Sequence, residues 1–145
     1  MTGRALGIDF GTRRLGLAIS DASRTLARPL EVIAVTGGGE AVDRIARRID
    51  ELAAEDGGLA VIVVGLPKRL DGTPGDQTAR VTAFIDALRG RTSLAIVTED
   101  ERLSSREAES RLAVNERDWR RRKARLDAAA AAVVLQDYLD RRPSR

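Results

Sequence analysis

Three carboxylates in this chain stand where a charge is costly. Asp9 interrupts the apolar run "ALGIDFG", with Gly7 and Gly11 two residues to either side. Asp127 is the one charged residue between Leu126 and Leu135. Glu101 closes the cluster Glu99-Asp100-Glu101 that follows the apolar stretch Leu94 to Val97. An ionised carboxylate in apolar surroundings needs a partner or a metal ion. Local roles are open to each: Asp9 accepting amide hydrogen bonds at a turn, Asp127 as a first-turn acid worth about 0.3–1 kcal/mol against the helix dipole, Glu101 as a solvated strand end. A shared role is open to all three. Convergent acids hold one or two divalent ions, which activate water and stabilise the charge that develops on a phosphate during phosphodiester displacement.

What the chain lacks narrows the chemistry. It has no cysteine and no histidine, which excludes disulfides, structural zinc, thiol nucleophiles and imidazole bases. The lysines are Lys68 and Lys123 alone. A metal here is therefore a hard cation bound by oxygen, which favours magnesium or manganese.

The net charge is only +3, but residues 1–100 carry 13 basic and 14 acidic side chains, while residues 101–145 carry 12 and 8. Six of the nine residues from Arg117 to Arg125 are basic, including Arg120, Arg121, Arg122 and Lys123, and Trp119 lies among them. A basic run with a stacking side chain suits a phosphate backbone. A solvated helix face has the same composition.

These residues need a scaffold that gathers them. Residues 5–10 alternate, Leu6, Ile8 and Phe10 against Gly7 and Asp9, and residues 15–19 repeat the pattern, the period of a strand. The short link Gly11-Thr12-Arg13-Arg14 predicts a hairpin. Its second face is nearly bare, so another backbone or a ligand can approach closely. Residues 30–35 predict a third strand, and Val42, Ile45, Ile49 and Leu52 a helix after the Gly37-Gly38-Gly39 breaker. Leu59 to Val64 is an unbroken apolar run, the mark of a strand buried on both faces. Gly65-Leu66-Pro67 and a polar loop follow, then a helix carrying Val81, Phe84, Ile85 and Leu88, and a fifth strand from Leu94. Ser104 and Glu107 have capping-box spacing. The apolar run from Leu126 predicts a helix buried nearly all round.

The expected order is three hairpin-linked strands followed by helical crossovers. It predicts an α/β protein with a mixed five-stranded sheet, the first three strands antiparallel and helices on both faces, in a ribonuclease H-like plan. Open sheets of this kind bind ligands at the carboxyl ends of their parallel strands, and Asp9 and Glu101 both fall there.

Four segments carry a resemblance: "ALGIDFGTRRLGLAISD", "VIVVGLPKRLDGTPGDQTARV", "EDERLSSREAESRL" and "KARLDAAAAAVVLQDYL". In order and spacing they resemble the YqgF/RuvX family of pre-16S ribosomal RNA nucleases related to Holliday junction resolvases. The likeness spans nearly the whole chain, and its Gly-Leu-Pro and Asp-Glu-Arg signatures are specific in combination. It implies a ribonuclease H-like fold, dependence on a divalent metal, and a bacterial cytoplasmic role in maturing the 5′ end of small-subunit ribosomal RNA. Branched-DNA resolution is the related activity. Position by position, the family's acids fall on Asp9, Glu101 and Asp127. Gly11, Gly65 and Pro67 border the site, while Thr12, Arg13, Arg14 and Arg102 meet phosphates. The family more often has lysine at one basic position after Thr12; arginine keeps the charge.

Two other readings fit parts of the chain. "GIDFGTRRLGLAI" also resembles the first phosphate loop of actin-like and sugar-kinase ATPases, but those enzymes need two such domains. A non-catalytic RNA-binding assembly factor on ribosomal precursor particles explains the basic run but leaves three convergent acids without a role. The 145 residues fit one domain, from residue 1 to 145. No apolar run approaches the roughly 18 residues that span a bilayer, so no membrane partner is expected. Without an export signal, the cytoplasm is the expected compartment. A junction resolvase needs two active sites and hence a homodimer; an RNA-trimming enzyme does not.

Overall fold

The computed structural model describes residues 3–11, 13–67, 75–100 and 119–141. Strands β1 (Arg4–Phe10), β2 (Arg14–Ser20) and β3 (Ala27–Ala34) come first. Helix α1 (Gly38–Ala54), β4 (Leu59–Leu66), α2 (Asp76–Arg89), β5 (Ala95–Asp100) and α3 (Trp119–Arg141) follow. The sheet order is β3-β2-β1-β4-β5. β1, β2 and β3 pair antiparallel, whereas β4 is parallel to both β1 and β5. This is the mixed, ribonuclease H-like sheet expected from the sequence.

Alternation divides the core between two layers. Leu6, Ile8, Ile62, Val64 and Ile96 turn to one face and pack with Ala41, Ile45, Ile49 and Leu52 of α1 and Val81, Phe84, Ile85 and Leu88 of α2. Full burial of such a side chain contributes about 1.5–3 kcal/mol, so this face carries much of the stability. Ala5, Ala18, Val61 and Val63 turn the other way and pack on Ala131, Val134, Leu135 and Leu139 of α3. β4 is buried on both sides because it lies between the two layers, as its unbroken apolar run requires.

Three boundaries differ from the pattern-based expectation. β3 begins at Ala27 and contains Pro29. That strand lies at the sheet edge, and Pro29 pairs with Ala18 where the register shifts, so the missing proline N–H is tolerated. α1 begins inside the glycine breaker, at Gly38. The described part of α3 begins at Trp119, so Arg120 to Lys123 are helical rather than a separate segment. The loop residues 68–74, the Ser104 helix and the tail from 142 lie outside the described residues. Among the described residues no helix is long and apolar enough to cross a membrane.

Candidate functional site

The carboxyl ends of β1, β4 and β5 meet along one edge of the sheet. Ile8 pairs with Val64, and Val64 with Thr98. One position further on stand Asp9, Gly65 and Glu99, with Gly65 and Glu99 in register. Across the antiparallel side, Asp9 pairs with Gly16 of β2. Neighbouring in-register residues share a face of the sheet, so Asp9 has a glycine position on each side. Asp9 is half-buried, and the two glycines leave a shallow trough beside it.

The trough faces α3. Gly7, two residues before Asp9 and on the same face, lies directly against that helix. A Cβ built on Gly7 would lie 2.8 Å from the Leu135 Cβ and 3.1 Å from the Ala131 carbonyl oxygen. The bare hairpin face anticipated from the sequence is thus occupied by helix backbone at Gly7, and glycines flank it on both neighbouring strands at the level of Asp9. Asp127 lies in α3 four residues, about one turn, before Ala131, about 6 Å along the helix axis. Glu101 follows directly on the last residue of β5 but lies outside the described residues, as do Thr12 and Arg102.

Glu99 enters the site without having been expected there. It is only 7% exposed and forms an ion pair with Arg141 in the last turn of α3. A cation at that helix end also suits the dipole. The alternation of "TEDE" puts Glu99 on the Asp9 face and Asp100 on the other, which was the available signal; its burial depends on α3 and was not readable.

The basic tip and the proline turn are held by local bonds. Gly11 N–H donates to the Arg14 carbonyl at 2.9 Å, and Val35 N–H donates to the Arg13 carbonyl at 2.9 Å, leaving the Arg13 side chain exposed. A side chain at position 11 would put its Cβ 2.6 Å from the Arg14 oxygen, so glycine is required in this connection. Arg14 opens β2 and is half-buried. Gly65 is buried and Pro67 follows the end of β4. Thr78 Oγ1 donates to the Pro67 carbonyl and accepts from Gly75 N–H at 3.0 Å, which ties this turn to the start of α2. Arg120, Arg121, Arg122 and Lys123 lie in the opening turns of α3.

The donor set suits a hard divalent cation: carboxylate oxygens at a parallel-strand edge, with no imidazole or thiol in the chain. Among the described residues no three acidic side chains gather; of the three expected acids, Asp9 is the one whose side chain is described.

A family model described as "RuvX: Holliday junction resolvase" matches residues 3–141. Named relatives cover nearly the whole chain. A "Putative pre-16S rRNA nuclease" of Desulforudis audaxviator is 38% identical over 141 residues, 97% of this chain and 96% of that protein. One of Geobacillus kaustophilus with the same name is 40% identical over 139 residues, 94% and 97% of the two chains. Among solved structures, RuvC of T. thermophilus in complex with Holliday junction substrate matches with a TM-score of 0.48 at 18% identity, covering 90% of this chain and 93% of that one.

Proposed function

Because the chain belongs to the RuvX family, we propose that it is a metal-dependent nuclease of the cytoplasm that hydrolyses phosphodiester bonds and matures the 5′ end of pre-16S ribosomal RNA. The observation that carries this reading is Asp9 between Gly16 and Gly65 at the carboxyl edge of the parallel strands. A ligand as large as a phosphodiester needs that clearance, and a carboxylate oxygen at that edge suits a hard divalent cation.

Asp9, Glu101 and Asp127 are the residues that would hold magnesium or manganese. The bound cation supplies the charge that makes water nucleophilic near neutral pH and offsets the negative charge growing on the phosphate. The rest of the work falls to the chain itself. Arg13, Arg14 and Arg102, with the Thr12 hydroxyl, hold the phosphates that flank the scissile bond, arginine being suited to paired contacts with phosphate oxygens. Gly11, Gly65 and Pro67 shape the border of the trough.

Arg120, Arg121, Arg122 and Lys123 bind the more distant backbone. Their position supports this: basic residues in the first turn of a helix oppose its dipole, so the helix dipole gives no reason for them. α3 has no acid in that turn.

Branched DNA is the second substrate reading, favoured by the family's description as a Holliday junction resolvase. It requires two active sites and hence a homodimer. Side-by-side digestion of a ribosomal precursor, single-stranded RNA and a four-way DNA junction, with magnesium and then manganese, separates the two. Preferential trimming of the precursor supports the RNA reading, and symmetric nicking of the junction supports resolution. Cleavage of none of them contradicts the nuclease assignment.

A further inference from the structure

The opposite face of the same sheet edge carries a groove that the nuclease site does not use. It holds about 460 Å³ between α1 and α2, with Gly39 and Val42 on one wall and Ala83, Phe84 and Ala87 on the other. Phe10 forms its floor, and Arg80 is its charged lining residue among the described residues. We propose that this groove receives an unpaired base of the nucleic acid whose backbone crosses the Asp9 edge, an inference that rests on the nuclease reading above.

Four features point to that occupant. The volume falls within the range of small-ligand sites, about 300–1,000 Å³, and is too small for a duplex. Phe10 is half-buried, and its ring lies against the buried Phe84 ring at 4.7 Å and 35°. It offers an aromatic surface on which any base can stack, whatever its identity. Phe10 is also the next residue after Asp9. Alternation turns the two side chains to opposite faces, so a strand held by its phosphate on the Asp9 side has its neighbouring base at the Phe10 side of the same edge. Finally, Arg80 is exposed and makes no ion pair among the described residues, leaving its guanidinium available to a phosphate or a base plane. The rim is open: Ala83 and Ala87 are exposed, and a Cβ on Gly39 would meet nothing within 4 Å.

Binding without metal tests this independently of catalysis. The full chain is titrated in chelator against a short labelled single strand and against the same sequence fully paired. Ala87→Phe and Ala83→Leu fill the groove from exposed helix positions that folding tolerates, and Arg80→Ala removes the charge. The groove assignment predicts that each filling variant weakens single-strand binding about tenfold and leaves duplex binding unchanged. Arg80→Ala should weaken single-strand binding with a shallower salt dependence. Equal affinity of wild type and both filling variants for the single strand, while wild type still cleaves, overturns the groove alone. Failure of wild type to bind the single strand in chelator overturns the groove, and failure to cleave any substrate with metal overturns the nuclease reading as well. A filling variant that instead converts a dimer to a monomer in sedimentation assigns the groove to a second copy of the chain and overturns the proposal.

Discussion

Gly7 and Leu135 meet where α3 crosses β1, and the absence of a side chain at position 7 lets the helix come this close. The same helix carries Asp127 one turn before the Ala131 carbonyl that also meets Gly7. This close approach therefore links packing to the site.

A methyl group at position 7 cannot be accommodated without a shift, because it meets both a side-chain Cβ and a backbone oxygen at 3.1 Å or less. Gly7→Ala should cost about 1–3 kcal/mol of stability, as overpacked cores do. Cleavage should fall further than the loss of folded protein accounts for, because the helix moves relative to Asp9. Denaturant unfolding and turnover measured on the same preparation give the comparison.

Glu99 and Arg141 join the end of β5 to the end of α3. Arg141→Ala leaves a carboxylate that is only 7% exposed without its cation. Such orphaned groups cost about 1–3 kcal/mol. Arg141 itself is about two-thirds exposed, with a side-chain value of 66%, so solvent screening places the loss at the low end of that range. Adding Glu99→Gln should restore part of it. A double-mutant cycle with no coupling between the two positions would contradict the pairing.

Asp21 contributes to acid stability at the opposite end of the hairpin. Its carboxylate accepts from Thr25 N–H at 2.7 Å, Ser23 Oγ at 2.9 Å and Leu26 N–H at 3.2 Å. The Thr25 amide, then the Ser23 hydroxyl, hold its pKa below the ordinary 3.8. A depressed carboxylate contributes stability that is fully present above its unfolded value and is lost as pH falls through the folded one. The chain should therefore lose this contribution below pH 3.8, and Asp21→Asn should remove it at neutral pH and flatten that part of the profile. Urea unfolding from neutral to acid pH measures both. Gln136 couples the turn to α3 through Ala27 N–H and the Thr25 carbonyl, each at 2.9 Å, so loosening should extend to the helix.

Replacing Arg120, Arg121 and Arg122 with alanine should weaken nucleic-acid binding across all sequences. The slope of affinity against salt should fall by about one unit for each phosphate that is no longer neutralised. Helix content should hold or rise, since alanine is the better helix former and three charges that oppose the dipole are gone. An unchanged slope would make that run a solvated face.

Much of the scaffold is readable from side-chain alternation. Leu6, Ile8 and Phe10 against Gly7 and Asp9, and the apolar block of β4, specify which strands are half-buried and which lies at the centre. Pro29 hides the start of β3 because edge position is a tertiary property. The arginine run hides the start of α3 because its charges run against helix rules. Asp9 is conspicuous as the lone acid in its strand, whereas its flanking glycines become neighbours only through the register of three strands. The ion pair of Glu99 with Arg141 joins residues far apart in the chain, and the groove depends on how α1 and α2 sit side by side; neither has a local pattern.

The central claim is that Asp9 works with Glu101 and Asp127 on a divalent metal to cut phosphodiester bonds. Cleavage of ribosomal precursor RNA by wild type, Asp9→Asn and Asp127→Asn, each with magnesium, with manganese and with chelator, tests it most directly. The account predicts cleavage by wild type with metal, none with chelator, and none by either variant although both fold. Equal cleavage by all three proteins, or wild-type cleavage that persists in chelator, would contradict it.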